Sequence, residues 1–183
     1  NHMEFFWGIV NGEPPAGLPV EGCESLFLPG LELHWQAAPG RVRVERRPGW
    51  VLFQWGSLRP RSTAVSQPAL IDALCAGVPP QRALQDVEGE FFLLIWQEAE
   101  RKLTLAVDPI GMTRLYYGRR AGSLVVSSHA ALAARGCGSI EISPEGVGLL
   151  LSLKGVAAPY SILRGISALR PAELLEISSE GER

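Results

Sequence analysis

The apolar positions of this chain fall into short strings separated by clusters of glycine, proline and charge. Phe5 to Asn11 reads as a short buried strand, and Gly12 to Gly22, with three prolines and three glycines, as a loop. Val42 and Val44 alternate with Arg41, Arg43 and Glu45. Arg47-Pro48-Gly49 then turns the chain into Trp50 to Trp55, rich in aromatic and β-branched residues, so this segment predicts a hairpin. Ser66 is placed to cap a helix with Pro68 in its first turn, an apolar stripe of Leu70, Ile71 and Leu74, and a stop at Gly77 and Pro79-Pro80.

A second helical turn, Gln81 to Val87, leads into the strand Phe91 to Gln97. Glu98 to Arg101 is a polar turn before Leu103, Leu105 and Val107, which alternate with polar or small residues. Arg114 to Tyr117 and Ser123 to Ser127 read as two more strands joined through Gly118 to Gly122, so four short strands form an antiparallel meander. His129 to Arg135 predicts an alanine-rich helix closed by Gly136. Ser143 caps another, with Pro144 and Glu145 in its first turn and Leu149, Leu150, Leu151 and Leu153 behind. Ile162 to Ile166 and Leu174 to Ile177 are strand-like. In a central strand Phe92, Leu94 and Trp96 share one face and Phe91, Leu93 and Ile95 the other, both buried. The expected class is α+β, with two antiparallel sheets packed face to face and helices outside.

Composition narrows this further. With 183 residues, 46% of them hydrophobic, one domain is expected. Asn1-His2-Met3 reads as a cloning remnant, leaving 4–183 as the domain, and the polar tail from Ser178 reads as a linker at which a longer chain was cut. A net charge of −2 gives no cationic surface for nucleic acid or an anionic membrane. The longest apolar run, Phe91 to Trp96, is far too short to span a bilayer. Cys23, Cys75 and Cys137 are odd in number and widely spaced, which disfavours a disulfide framework or a zinc site and points to the cytoplasm.

Candidate chemistry is sparse. His34 and His129 have no second ligand at usable spacing and read as structural. Cys75 reads as a small buried thiol, and Cys137 lies in a turn with no basic residue beside it. No phosphate-binding loop or metal cluster is present in the pattern. Asp108-Pro109-Ile110-Gly111 is the most distinctive polar segment, a turn in which the aspartate bonds its own following amides. Tyr116-Tyr117 reads as packing.

Three ordered segments carry a family resemblance. Val87-Glu88-Gly89-Glu90-Phe91-Phe92-Leu93-Leu94-Ile95-Trp96, Asp108-Pro109-Ile110-Gly111-Met112-Thr113-Arg114-Leu115-Tyr116-Tyr117 and Ser127-Ser128-His129-Ala130-Ala131-Leu132 resemble the LxGxFAFALWD, DxxGxxPLYY and FASExKAL landmarks of the asparagine synthetase family's glutaminase domain. Ile162 to Ile166 with Leu169-Arg170-Pro171 is similar to that domain's closing strand. The resemblance covers roughly residues 87 to 177 well and the first half weakly. It implies the N-terminal-nucleophile (Ntn) hydrolase fold, an αββα sandwich.

The same resemblance implies that the active centre is degenerate. The family's nucleophile is the cysteine of CGIVG, which stands directly after the initiator Met. The matching run here is Trp7-Gly8-Ile9-Val10-Asn11, and an indole cannot attack an amide. The family's Asn-Gly pair aligns with Trp55-Gly56, keeping the glycine and losing the amide, and its Ser-Asp-Thr-Glu run aligns with Ser66-Gln67-Pro68-Ala69, losing the carboxylate. No catalytic residue is therefore expected in this chain, and Trp7, Trp55, Gly56 and Gln67 mark the former glutamine pocket.

The resemblance thus implies a catalytically inactive glutaminase-like domain, similar to those of β-lactam synthetases and lasso-peptide cyclases. Such a domain would scaffold a C-terminal synthetase domain that uses ATP and Mg to form an amide bond. The adenylating SGGxDS loop is absent from this chain, which itself needs no cofactor and is not expected to be an enzyme alone. The alternative is a free-standing module that docks a peptide or protein partner. A hydrolase with a displaced nucleophile such as Cys23 is a third reading.

Overall fold

The computed structural model describes residues 3–62, 66–178 and 181–182. Residues 1 and 2 of the segment read as a cloning remnant, residues 179, 180 and 183 of the polar tail and the Cys75 side chain lie outside what is described. In chain order the elements begin with β1 (Phe5–Val10), β2 (Glu24–Leu28), β3 (Leu31–Gln36), β4 (Val42–Arg47), β5 (Trp50–Pro60), α1 (Gln67–Cys75) and α2 (Pro80–Ala83). They continue with β6 (Val87–Gln97), β7 (Lys102–Val107), β8 (Tyr116–Arg120), β9 (Ser123–Ser127), α3 (Ala130–Gly136), α4 (Pro144–Leu153), β10 (Ile166–Ala168), β11 (Leu174–Ser178) and β12 (Gly181–Glu182).

These elements form two compact units, each assembled from two stretches of chain. Residues 1–38 and 114–170 make the first, and 39–113 and 171–183 the second. The first holds an antiparallel sheet of order β10-β8-β9-β1-β3-β2, the second an antiparallel sheet of order β12-β11-β7-β6-β5-β4. The α+β class and the two antiparallel sheets are as the periodicity predicts.

In the first unit β1 is buried along its whole length, because β3 and β9 flank it and all but one of its residues are apolar. Phe5, Trp7, Ile9, Leu18 and Val125 form one apolar cluster. Ala133, Ala134, Leu163 and Ile166 form another, where the small alanines let α3 approach closely. α4 is capped as expected: Ser143 Oγ accepts from the Gly146 amide at 3.1 Å. Its leucines pack little, however, and Leu150, Leu151 and Leu153 are exposed.

In the second unit β6 behaves as a central strand, with Phe91 to Trp96 buried on both faces. Phe91, Leu93 and Ile95 share a cluster with Leu70, Ile71 and Leu74 of α1, so the helical stripe and one strand face meet as their periods require. Ser66 caps α1 through its Oγ, which accepts from the Ala69 amide.

The structure adds a β2–β3 hairpin that the sequence pattern does not predict and corrects four expectations. The four-stranded meander is instead two hairpins in different sheets, β6–β7 and β8–β9, because the Asp108 turn carries the chain from the second unit to the first. The strand expected at Arg114 to Tyr117 begins at Tyr116 and runs through Gly118 to Arg120. Ile162 to Gly165 is a turn with one bridge, Leu163 to Ile142, and Gly165 has φ +71°, so only Ile166–Ala168 is strand. The helical turn before β6 is Pro80–Ala83, and Val87 already belongs to the strand.

Candidate functional site

Trp7 is the third residue of β1, in the first unit, and its side chain is 0% exposed. Register places it directly opposite His34 on β3 and Ser127 on β9. The indole stacks on the His34 ring with centroids 4.2 Å apart and planes inclined by 14°, and its Nε1 donates to the Pro19 carbonyl at 2.8 Å. Trp7 thus has its polar atom satisfied and its faces packed.

Trp55, Gly56 and Gln67 belong to the second unit. Trp55 on β5 stacks on Phe92, its cross-strand partner, at 5.6 Å and 8°. Strand alternation turns its neighbour Gln54 to the opposite face. Gln67, the first residue of α1, donates from Nε2 to Gln54 Oε1 at 3.0 Å, and Gln54 Nε2 donates to the Gly56 carbonyl at 2.9 Å. Gly56 has φ +84°, its amide donates to the Arg41 carbonyl at 2.7 Å, and a Cβ there would collide with the Glu90 carbonyl oxygen. Gln54, which no sequence motif marks, therefore links two of the four positions singled out.

Gly56, Gln67 and Gln54 line one cavity of about 380 Å³, together with Arg41, Arg43 and Arg59. Trp55 is not among its lining residues. Arg43 binds Glu45 through two nitrogens at 2.7 and 2.8 Å, Arg59 meets Glu88 at 3.4 Å, and Arg41 lies 4.0 Å from Glu90. The guanidinium groups of the cavity thus each face a carboxylate of the chain, and among the described residues its walls contain no thiol or imidazole. Among the described residues no group of three His, Cys, Asp or Glu is arranged to hold a metal ion.

Asp108 is 0% exposed and forms the turn its sequence predicts. Burial pushes its pKa upward, but hydrogen bonds from the Thr113 hydroxyl and the Thr113, Met112 and Ile110 amides outweigh that and hold it below the ordinary value. His129 occupies the N-terminal cap position of α3, with Ser128 Oγ 2.9 Å from Nδ1, and burial lowers its pKa. Cys137 ends α3. Burial raises its pKa against an opposing pull from Arg120, a basic neighbour not apparent in the sequence.

Residues 71–183, more than half of the chain, match the glutamine amidotransferase domain family. The chain belongs to that family. The match begins within α1, so Trp7, Trp55, Gly56 and Gln67 all precede the part of this glutamine amidotransferase domain that it covers. Among solved structures the domain is similar to the glutamine phosphoribosylpyrophosphate amidotransferase from B. subtilis complexed with ADP and GMP. That likeness has a TM-score of 0.49 at 17% identity, over 84% of this chain and 34% of that one. A second is described as the allosteric regulatory enzyme of purine biosynthesis, with a TM-score of 0.47 at 14% identity, over 98% of this chain and 42% of that one. The chain therefore spans less than half the length of either. No curated protein matches the sequence. No helix among the described residues is long and apolar enough to cross a membrane.

Proposed function

We propose that this glutamine amidotransferase domain is of the asparagine synthetase kind and lacks glutaminase activity. In this reading it acts as the scaffold of a larger ATP-dependent amide-forming enzyme, of the β-lactam synthetase or lasso-peptide cyclase type, in the cytoplasm. The observation that carries this is Trp7. At the position the resemblance assigns to the nucleophile stands an indole with no exposed surface, stacked on His34 and hydrogen-bonded to Pro19. A group held this way supplies packing energy rather than chemistry. The other losses that the resemblance implies agree with it, since Gln67 stands where the family has a carboxylate and its amide is already engaged by Gln54. ATP and Mg belong in this reading to the synthetase domain that follows in cis.

Calorimetric titration with glutamine, paired with an ammonia-release assay on the same preparation, tests the proposal. Neither saturable binding nor ammonia is expected, and turnover of glutamine overturns it. A second reading, a free-standing interaction module, draws on the exposed Leu151 and Leu153 of α4, an apolar surface of the sort that protein partners cover. An SGGxDS loop encoded after Arg183 favours the scaffold, and a stop codon favours the module.

A further inference from the structure

The β2–β3 hairpin brings Ser25, His34 and Glu32 together at one end of a sheet row. Ser25 lies directly opposite His34 in the register, and Glu32, two residues before His34, projects from the same face of β3. Ser25 Oγ is 2.8 Å from His34 Nδ1, and His34 Nε2 is 2.6 Å from Glu32 Oε1. A carboxylate only accepts, so Nε2 carries the proton that is donated to Glu32. In the neutral ring Nδ1 is then a lone pair, and the Ser25 hydroxyl donates to it. His34 is 3% exposed, clamped between the stacked Trp7 indole and the edge of Phe27 at 5.4 Å. Ser25 is exposed, and it sits on β2, the last strand of its sheet.

From this geometry we infer that Ser25, His34 and Glu32 form a serine esterase site for small apolar acyl esters, separate from the glutamine chemistry of the family. The three positions satisfy the two hydrogen bonds a nucleophilic relay needs: nucleophile to base, and base to the group that orients it. Trp7 and Phe27 fix the ring plane from the sides. An acyl group arriving from solvent meets the hydroxyl beside Phe27, 65% exposed and apolar. Among the described residues β2 ends its sheet with no strand partner on its outer side, and the oxyanion is assigned to backbone amides of that edge.

The chemistry balances with water as the only co-reactant. Ser25 Oγ attacks the acyl carbon while its proton passes to His34 Nδ1, and the Nε2 proton stays shared with Glu32. The bond from the acyl carbon to the alcohol oxygen breaks, and the alcohol leaves with the proton from Nδ1. Water then gives a proton to Nδ1 and attacks the acyl-serine, releasing the carboxylic acid and restoring the hydroxyl. Cys23 Sγ, 3.6 Å from Nδ1, is the competing nucleophile, but it is only partly accessible and its thiol is already directed at the Val20 carbonyl at 3.0 Å.

The test needs two probes, a fluorophosphonate for labelling and p-nitrophenyl acetate for turnover. On the unaltered protein the phosphonate is expected to form one adduct, located on the Ser25 peptide by mass spectrometry. Ser25→Ala, at an exposed edge position, should leave the thermal unfolding curve in place and lower ester hydrolysis by on the order of 100-fold or more. Glu32→Gln tests a positioning residue: kcat should fall at least about tenfold with KM unchanged. No adduct, an adduct on Cys23, or hydrolysis undiminished in Ser25→Ala overturns the assignment. The result is independent of the glutamine measurements.

Discussion

The Thr113 hydroxyl donates to Asp108 Oδ2 at 2.6 Å, and the Thr113 amide donates to the same oxygen at 2.8 Å. With the Ile110 and Met112 amides on Oδ1, both oxygens of a buried carboxylate are satisfied by hydrogen-bond dipoles from its own turn. An asparagine can accept at only one of the two positions. Asp108→Asn is therefore expected to cost on the order of 2–4 kcal/mol, read from the denaturant midpoint. The folded pKa lies below the unfolded value, so this stabilisation is fully present above about pH 3.8 and is lost as pH falls through the folded value. The variant should lose stability less steeply than the parent in that acid range.

His129 gives the opposite chemistry but the same sign. Burial lowers its pKa, so the unfolded chain takes up the proton more readily and stability rises with pH. The contribution is complete above about pH 6.5 and declines as pH falls from there through the folded value. His129→Gln should flatten the stability profile just below about pH 6.5 and leave it unchanged at about pH 8. A slope identical in both proteins would remove His129 from the account.

Gly56 is constrained twice, by φ +84° and by the Glu90 carbonyl where a side chain would begin. Gly56→Ala should destabilise by at least about 2 kcal/mol, since neither the dihedral nor the backbone oxygen can yield cheaply. Urea unfolding measures it, and an undisturbed midpoint would mean that the strand relaxes there.

Removing the Trp7 indole empties the centre of its cluster. Trp7→Ala is expected to cost about 3–5 kcal/mol. Trp7→Cys should release no ammonia from glutamine, because the thiol would lie in the middle of a strand that is buried along its whole length. Ammonia release by that variant would show the site to be one substitution from activity.

Much of the fold is legible in the sequence where its determinants are local. The Phe91 to Trp96 alternation, the Ser66 and Ser143 caps and the Asp108 turn each depend on residues within a few positions of one another. Long-range choices are not. Val107 and Tyr116 are neighbours in the pattern yet belong to different sheets, because nothing between them distinguishes a hairpin from a crossing. The β2 strand escapes detection since only Leu26 of its five residues is buried, leaving too weak an alternation to read. The candidate site is obscured for the same reason. His34 has no ligand at regular spacing along the chain, but strand pairing sets Ser25 beside it from nine positions away. Gln54 is hidden behind the more conspicuous Trp55.

The interleaving of the two units has a consequence for synthesis. β1 leaves the ribosome well before one of its two strand neighbours, β9, whose residues come more than a hundred positions later. At roughly 5–20 residues per second, this wholly buried strand waits about 6–23 s with β3 as its sole sheet neighbour. Its open flank is then an edge without protection, and a chaperone that shields extended apolar segments would act most usefully during that interval.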